Sequence, residues 1–475
     1  MRWPRALGGL LLAGVALGGA ALLLASFGEV PPRRLADALE RRARGHDGLA
    51  GDAARLLARA VGALDARLAP LPLRPAWAVG VQPQGAAAVP ALREQLALDD
   101  AQLRQALAQA RPGDVITLLP GAWRLSAPLD ANRPGRADAP ITLRARRPGE
   151  VTLEVDTVEA LRVSAPYWHV ENLVLRGVCR EHSDCEHALH VSGDARGFQA
   201  RHNELSDFNA HVKVNGHDGR FPDDGLLEHN TLANSAARRT DNPVTPVDIV
   251  GASRWTLRAN LIADFVREAA DTTSYGAFAK GAAEGTRMLG NVVLCEHRLR
   301  GRPGSRVGLS LGGGGSQPYA CRDRRCVVEH DAGLIEGNLI AFCSDAGIDL
   351  NGAARSLVRH NTLVDTGGLS ARTGASSAEL DGNLVDGALL ARQGASLHGS
   401  DDLATPLWRL YLGSHPQRAL FADPAALDFA WRDGPPRRAA AAASAPTDLC
   451  GASRPAAPAY GAFEDFRACT VLTPR

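Results

Sequence analysis

Lysine is all but missing from this chain. Of 53 basic residues other than histidine, only Lys213 and Lys280 are lysine and the rest are arginine. With 49 Gly and abundant Ala, the bias fits a GC-rich bacterial genome, and it singles out the two lysines that survive it. Net charge is missing too. The formal value is +1 over 475 residues, so no global field marks a nucleic-acid partner. No CxxC pair or Cys/His cluster has zinc spacing, and His182, His187, His190, His202 and His211 crowd together without a ligand spacing. The run Gly312 to Gly315 lacks the Lys-Ser/Thr of a phosphate loop and reads as a flexible lip.

What the chain does have is a repeat. Asn followed by two or three apolar residues recurs at Asn172, Asn203, Asn230, Asn260, Asn291, Asn338, Asn361 and Asn383, with gaps of 31, 27, 30, 31, 47, 23 and 22. A period of 20 to 50 residues means a stacked architecture that grows in one dimension, so length does not count domains here. The repeated Asn reads as structural: its amide stacks on the next and it tolerates a left-handed turn at a corner.

The front end is different. Residues 1–5 form a basic stub, and Ala6 to Phe27 is a run of 22 residues without a charge, long enough to span ~30 Å of hydrocarbon. Its exit is a poor cleavage site, so residues 6–27 are expected to be an uncleaved signal anchor in a bacterial inner membrane, with the rest in the periplasm. If the segment is cleaved, the protein is secreted. Eight cysteines fit an exported chain. Spacing favours small loops closed by Cys179 with Cys185 and by Cys321 with Cys326, a bond between adjacent coils from Cys295 to Cys343, and Cys450 with Cys469 in the tail.

Residues 28–91 read as a spacer of one or two amphipathic helices and a Pro-rich linker. Leu92 to Ala110 is expected to be a further helix. Short strands punctuated by Pro-Gly turns follow: Val115 to Leu119, Ile141 to Ala145 and Val151 to Leu153. Residues 92–432 are thus expected to form an all-β solenoid, and 433–475 a disulfide-bonded tail.

Ala110-Arg-Pro-Gly-Asp-Val-Ile-Thr-Leu118, followed by Pro140-Ile-Thr-Leu-Arg-Ala145 and Pro148-Gly149-Glu150-Val151, resembles the opening of right-handed parallel β-helix proteins. It is most similar to the chondroitinase B and alginate lyase group of polysaccharide lyases. The segment Phe421 to Phe429 resembles their closing segment. The resemblance runs from about Leu92 to Trp431 and implies an acidic polysaccharide substrate.

A second phrase sets the register. Strands ending in Gly193, Gly251, Gly281 and Gly352 precede their Asn by 10, 9, 10 and 9 residues. After Gly312 an insertion delays Asn338. Alternation along these strands puts one set of side chains outward. The resulting ribbon holds His190 and Ser192, Lys213 and Asn215, Asp248, Phe278 and Lys280, Ser310, Asp349 and Asn351, and Arg372. His190, Asn215, Phe278, Ser310 and Asn351 are candidate substrate-binding residues.

Both lysines lie on this ribbon. Lysine can lose its proton where arginine cannot. Abstraction of the C5 proton of a uronic acid needs such a base, with a cation stabilising the enolate-like charge. Lys280 is therefore the candidate base, and Lys213, Arg306 or Arg372 the charge stabiliser. The resemblance places the catalytic Lys strand at Thr273 to Gly281, but Thr273 and Tyr275 stand where acidic calcium ligands would be, and Arg306 is displaced. Calcium is the one cofactor left open, and the metal ligands are unassigned. Asp248 and Asp349 form a possible hydrolase pair. Asp223, Asp224, Asp241, Glu329, Asp331 and Asp345 lie in or beside loops that could wall a cleft. The alternatives to a lyase are a glycan-binding scaffold and a hydrolase.

Overall fold

A computed structural model of the chain describes residues 30–46, 48–65, 77–87, 91–268, 273–302, 304–313, 315–399, 401–439 and 447–469. The expected stub and anchor at 1–5 and 6–27 lie outside the described residues, as do Pro70, Pro72, Pro75 and Pro90 of the linker. Among the described residues, no helix is long and apolar enough to cross a membrane.

Each coil contributes one strand to each of three parallel sheets, which hold ten, eleven and twelve strands. The result is a parallel β-helix. One coil shows the plan: His187–Ser192 lies in the ten-stranded front sheet, Gln199–Arg201 in the twelve-stranded back sheet, and Glu204–Ser206 in the eleven-stranded side sheet. Inward Val, Leu and Ile from all three sheets fill one continuous core.

The Asn phrase sits at the corner between back and side sheets. Each buried Asn amide accepts from the coil before it and donates to the coil after it. Asn260 Oδ1 accepts from Asn230 N and Nδ2 (2.9 and 3.0 Å), and Asn260 N and Nδ2 donate to Asn291 Oδ1 (both 3.0 Å). The same pattern runs from Asn203 to Asn383, which donates to Asp402. From Asn203 onward, however, the left-handed residue is the one before the Asn: His202, His229, Ala259, Gly290, Gly337, His360 and Gly382. That frees the Asn backbone N–H to point along the stack.

The apolar residues after the Asn have a second explanation. Leu261–Ala263, Val292–Leu294 and Leu339–Ala341 are buried at every position. Their inward side chains face the core. Their outward ones are covered by Trp77, Phe421, Phe429, Phe463 and Phe466, brought by residues 77–87, an antiparallel hairpin (Phe421–Asp423 with Asp428–Trp431) and the tail. A strand buried on both faces loses its alternation. The tail is thus a cover for the side sheet.

The four expected disulfides are all present. Cys179 bonds to Cys185 and Cys321 to Cys326, each closing a small loop. Cys295 bonds to Cys343 and ties neighbouring coils. Cys450 bonds to Cys469 within the tail, where both join the apolar cover of the side sheet. Among the described residues no cysteine is free.

Two expectations change. The segment from Leu92 does not start as helix. Arg93–Ala97 is a strand that pairs with Asp114–Leu118, and only Asp100–Gln109 is helical, capped where Asp99 accepts from Gln102 N at 2.8 Å. Pairing with the first coil outweighs helix propensity there. The helical part of 28–91 is not a free spacer. Helices α1 (Pro32–Ala43) and α2 (Leu49–Leu64) pack on each other and dock against the solenoid. Arg33 is the bolt. It is 1% exposed and donates to Asp65 (2.6 and 2.7 Å), to the Cys343 carbonyl (2.7 Å) and to Asp365 Oδ1 (3.1 Å). His415 and Arg418 complete the cluster through Asp386 (2.7 and 2.6 Å).

Candidate active site on the front sheet

Parallel pairing stacks equivalent residues of successive coils ~4.8 Å apart. One outward row of the front sheet runs Arg162, His190, Lys213, Asp248, Phe278, Ser310, Asp349, Ser370. Two residues further along the strands, a second row holds Ser192, Asn215, Val250 and Lys280, and then Gly312, Asn351 and Arg372. The ribbon residues therefore share one sheet, Ser310 included. Five of the eleven are not solvent-facing, though. Asp248, Phe278, Ser310, Asp349 and Asn351 are buried, because the long cations lie across their shorter neighbours.

The charges are mostly spoken for. Lys213 Nζ donates to Asp248 Oδ2 at 2.8 Å, while Asp248 Oδ1 is buried without a hydrogen-bond partner. Arg372 grips Asp349 with two bonds (3.1 and 2.5 Å). Burial pushes the Asp349 carboxyl up against the pull of Arg372. His190 bridges Glu159 Oε1 (2.6 Å) and Asn215 Oδ1 (2.7 Å), and its hydrogen bond draws Glu159 down to about 2.

Lys280 differs. Among the described residues it makes no ion pair or hydrogen bond. Its Nζ lies 4.5 Å from the centroid of the Phe278 ring. Tyr275, on the same strand, meets that ring edge-on at 5.5 Å. Burial, with Asp349 adding to it, pushes the Tyr275 phenol up to about 12. The glycine lip rests on the Lys280 stem: a Cβ on Gly313 would lie 2.7 Å from Lys280 Cδ. The lip is pinned as well, since Glu329 accepts from Gly313 N (3.3 Å) and from the Ser316 N and hydroxyl (3.1 and 2.9 Å). Glycine content alone suggested flexibility, and Glu329 was the signal that could have argued otherwise.

Arg306 is not on this face. It is 1% exposed, on a strand position paired with Ser274, and it binds Glu296 (2.9 Å) and the Arg302 carbonyl (2.6 Å). Asp223 is taken by Arg322 and Arg254, and Asp345 by Arg34. Asp248 and Asp349 stand three strand steps apart, roughly 14 Å at ~4.8 Å per step, well beyond the ~5–9.5 Å between paired glycosidase carboxylates. Thr273 and Tyr275 bring no carboxylate, and among the described residues no three His, Cys, Asp or Glu gather to hold a metal. These residues do not fit a calcium ion. Tyr275 is the residue that sequence reasoning passed over; it registered only as a missing ligand.

Comparison with known proteins agrees with the sequence resemblance. No curated protein matches the chain. Among solved structures, an alginate lyase from Paenibacillus sp. str. FPU-7 matches at 16% identity and TM-score 0.38, covering 66% of this chain and 100% of its own. The pectate lyase Pel9A matches at 14% identity and TM-score 0.40, covering 79% and 97%. A PL6-family polysaccharide lyase from Pseudopedobacter saltans matches at 14% and 0.34, covering 68% and 94%. Residues 98–209 match the family model of chondroitinase B, a span that ends ahead of Lys213 and Lys280, so the chain is similar to that lyase family over its first coils.

Proposed function

We propose that the chain is a polysaccharide lyase that cleaves an acidic polysaccharide by β-elimination, with Lys280 as the base. The observation that carries this reading is Lys280 itself: the lysine of the front sheet that no carboxylate holds, set over an aromatic ring. The Lys280 amine takes the C5 proton of a uronic acid, the electron pair forms the C4–C5 double bond, and the C4–O4 bond breaks. The departing oxygen takes up a proton, for which Tyr275 is the protonated hydroxyl on the same strand. Arg372 and Lys213 are the cations for the substrate carboxylate, each shared with an aspartate. Phe278 offers a ring face for the sugar.

The test is release of unsaturated uronate from alginate, chondroitin and pectin, followed by ultraviolet absorbance. Lys280→Ala should lower kcat by about 10²–10⁴-fold, the range for a lost general base. Lys280→Arg should not restore it, because arginine stays protonated. Full turnover by Lys280→Ala would sink the assignment.

A glycan-binding role without chemistry is the second reading. It is favoured by the ion pairs that lock Lys213 and Arg372. Binding to the same panel with no turnover would establish it. The hydrolase reading needs Asp248 and Asp349 to act together, and their separation opposes it. We further propose that residues 6–27 tether the protein to the inner membrane with the β-helix in the periplasm. Four disulfides support an oxidising compartment. Release from membranes by alkaline carbonate would contradict the tether.

A further inference from the structure

We propose that the helix hairpin and the front sheet jointly form a second, carboxylate-binding subsite centred on Arg41. This rests on the acidic-polysaccharide reading and extends it from the Lys280 end of the strands to their start. The hairpin would then be part of the binding groove.

A cavity of about 330 Å³ opens where α1 meets the beginnings of Thr273–Lys280 and Ser305–Gly312. Arg34 and Arg41 line it from the helix, and Thr273, Ser305, Asp345 and Arg372 from the solenoid. Two of the three guanidiniums are committed: Arg34 to Asp345 at 2.5 Å, and Arg372 to Asp349. Asp37 also lines the cavity and has a partner of its own. Arg41 is exposed and makes no ion pair among the described residues. It is the available cation, with two hydroxyls across from it. A planar guanidinium with flanking hydroxyls suits a sugar carboxylate and its ring oxygens.

Arg41 also lines an adjoining cavity of about 440 Å³, to which Arg33, Arg44, Arg59 and Arg302 contribute cations and Asp37, Glu40 and Asp65 carboxylates, Asp65 being held by Arg33. Together the two cavities are lined by arginines from both hairpin helices, Arg34, Arg41 and the helix-ending Arg44 from α1 and Arg59 from α2. Several cations on one wall suit a polymer with a carboxylate on successive sugars. The wall is rigid, because the buried Arg33 cluster fixes α1 to the solenoid before any ligand arrives.

Thr273 and Lys280 are seven residues apart on one strand, roughly 23 Å at ~3.3 Å per residue. A short oligosaccharide seated at Lys280 does not reach Arg41, whereas a long one does. The signature is therefore dependence on chain length. Titration calorimetry of the full chain with trisaccharides and octasaccharides of alginate and of polygalacturonate tests it. Arg41→Gln should weaken octasaccharide binding by about tenfold, the loss of one charge-assisted hydrogen bond, and leave the trisaccharide unchanged. Arg44→Gln should act in the same direction. Arg42→Gln, on the same helix but lining neither cavity, should change neither ligand. Equal losses from Arg41→Gln and Arg42→Gln, or equal losses for both oligosaccharides, would overturn the subsite. If the wild type binds uronate and Arg41→Gln matches it, the subsite alone falls. If the wild type binds no uronate oligomer, the polysaccharide reading falls with it.

Discussion

Replacing Arg33 by Met should release the helix hairpin while leaving the β-helix folded. The guanidinium makes its contacts from a fully enclosed position, and Asp65 depends on it most. Asp365 keeps Arg300 at 2.8 Å, whereas the remaining cations near Asp65, His415 and Arg418, stand at 3.7 and 3.8 Å. Methionine has comparable length but no charge, so a carboxylate stays buried and under-compensated. Breaking a buried pair from one side costs about 3–5 kcal/mol. The apolar side chains that the hairpin buries are mainly Ala36, Ala43, Ala58 and Val61, too small to absorb such a loss. The undocked population should rise by roughly 10²–10⁴-fold. Hydrogen exchange followed by mass spectrometry reads this directly. Amides of Pro32–Ala43 and Leu49–Leu64 should lose protection, while those of Ser305–Gly312 and Ile348–Asn351 keep theirs. Unchanged hairpin protection would refute the bolt. Simultaneous loss in the front sheet would show that the hairpin is part of one cooperative unit instead.

Two more expectations follow from the same geometry. Asn291→Ala orphans the Asn260 N–H and the Leu257 carbonyl and should cost about 2–6 kcal/mol, at 1–3 per buried group. Asn172→Ala, one coil ahead of the stack, loses only the Ala86 N–H and Ala145 carbonyl partners and should cost less; equal shifts in denaturation midpoint would argue against the ladder. Burial pushes the Asp386 carboxyl up, but His415 and Arg418 more than reverse this, holding it at about 2. A depressed carboxylate stabilises fully above its ordinary ~3.9 and stops doing so as pH falls to about 2, here worth roughly 2–3 kcal/mol. Hairpin protection should therefore fade between pH 4 and 2, and Asp386→Asn should flatten that dependence.

What could be read in the chain beforehand was whatever repeats. The spacing of Asn and Gly places Lys213, Asp248, Phe278 and Asp349 on one face, because each coil copies the last and register carries over. The same copying made Cys295 and Cys343 neighbours. What lay hidden was whatever happens once. Arg33 meets Asp65 and Asp365 across 32 and 332 residues, and nothing local in Pro31-Pro32-Arg33 announces it. Arg306 became a candidate through the resemblance to the lyases; the carboxylate that encloses it, Glu296, comes from the preceding turn. The site is half visible for the same reason: position came from the repeat, but pairing came from side chains reaching between coils.

The Asn stack has a direction, and so it has two unlike ends. Every link passes hydrogen from the earlier coil to the later one. The first amide oxygen therefore needs a donor, and the last amide a pure acceptor. The backbone of the preceding coil supplies the donor, where Leu173 N meets Asn203 Oδ1 at 3.0 Å, and the carboxylate of Asp402 supplies the acceptor at 2.8 and 2.7 Å. A filament closed in this way can gain or lose whole turns from its middle without exposing either terminus. Duplication of an internal coil is then a tolerated change, and the length of the binding face becomes adjustable in steps of one coil.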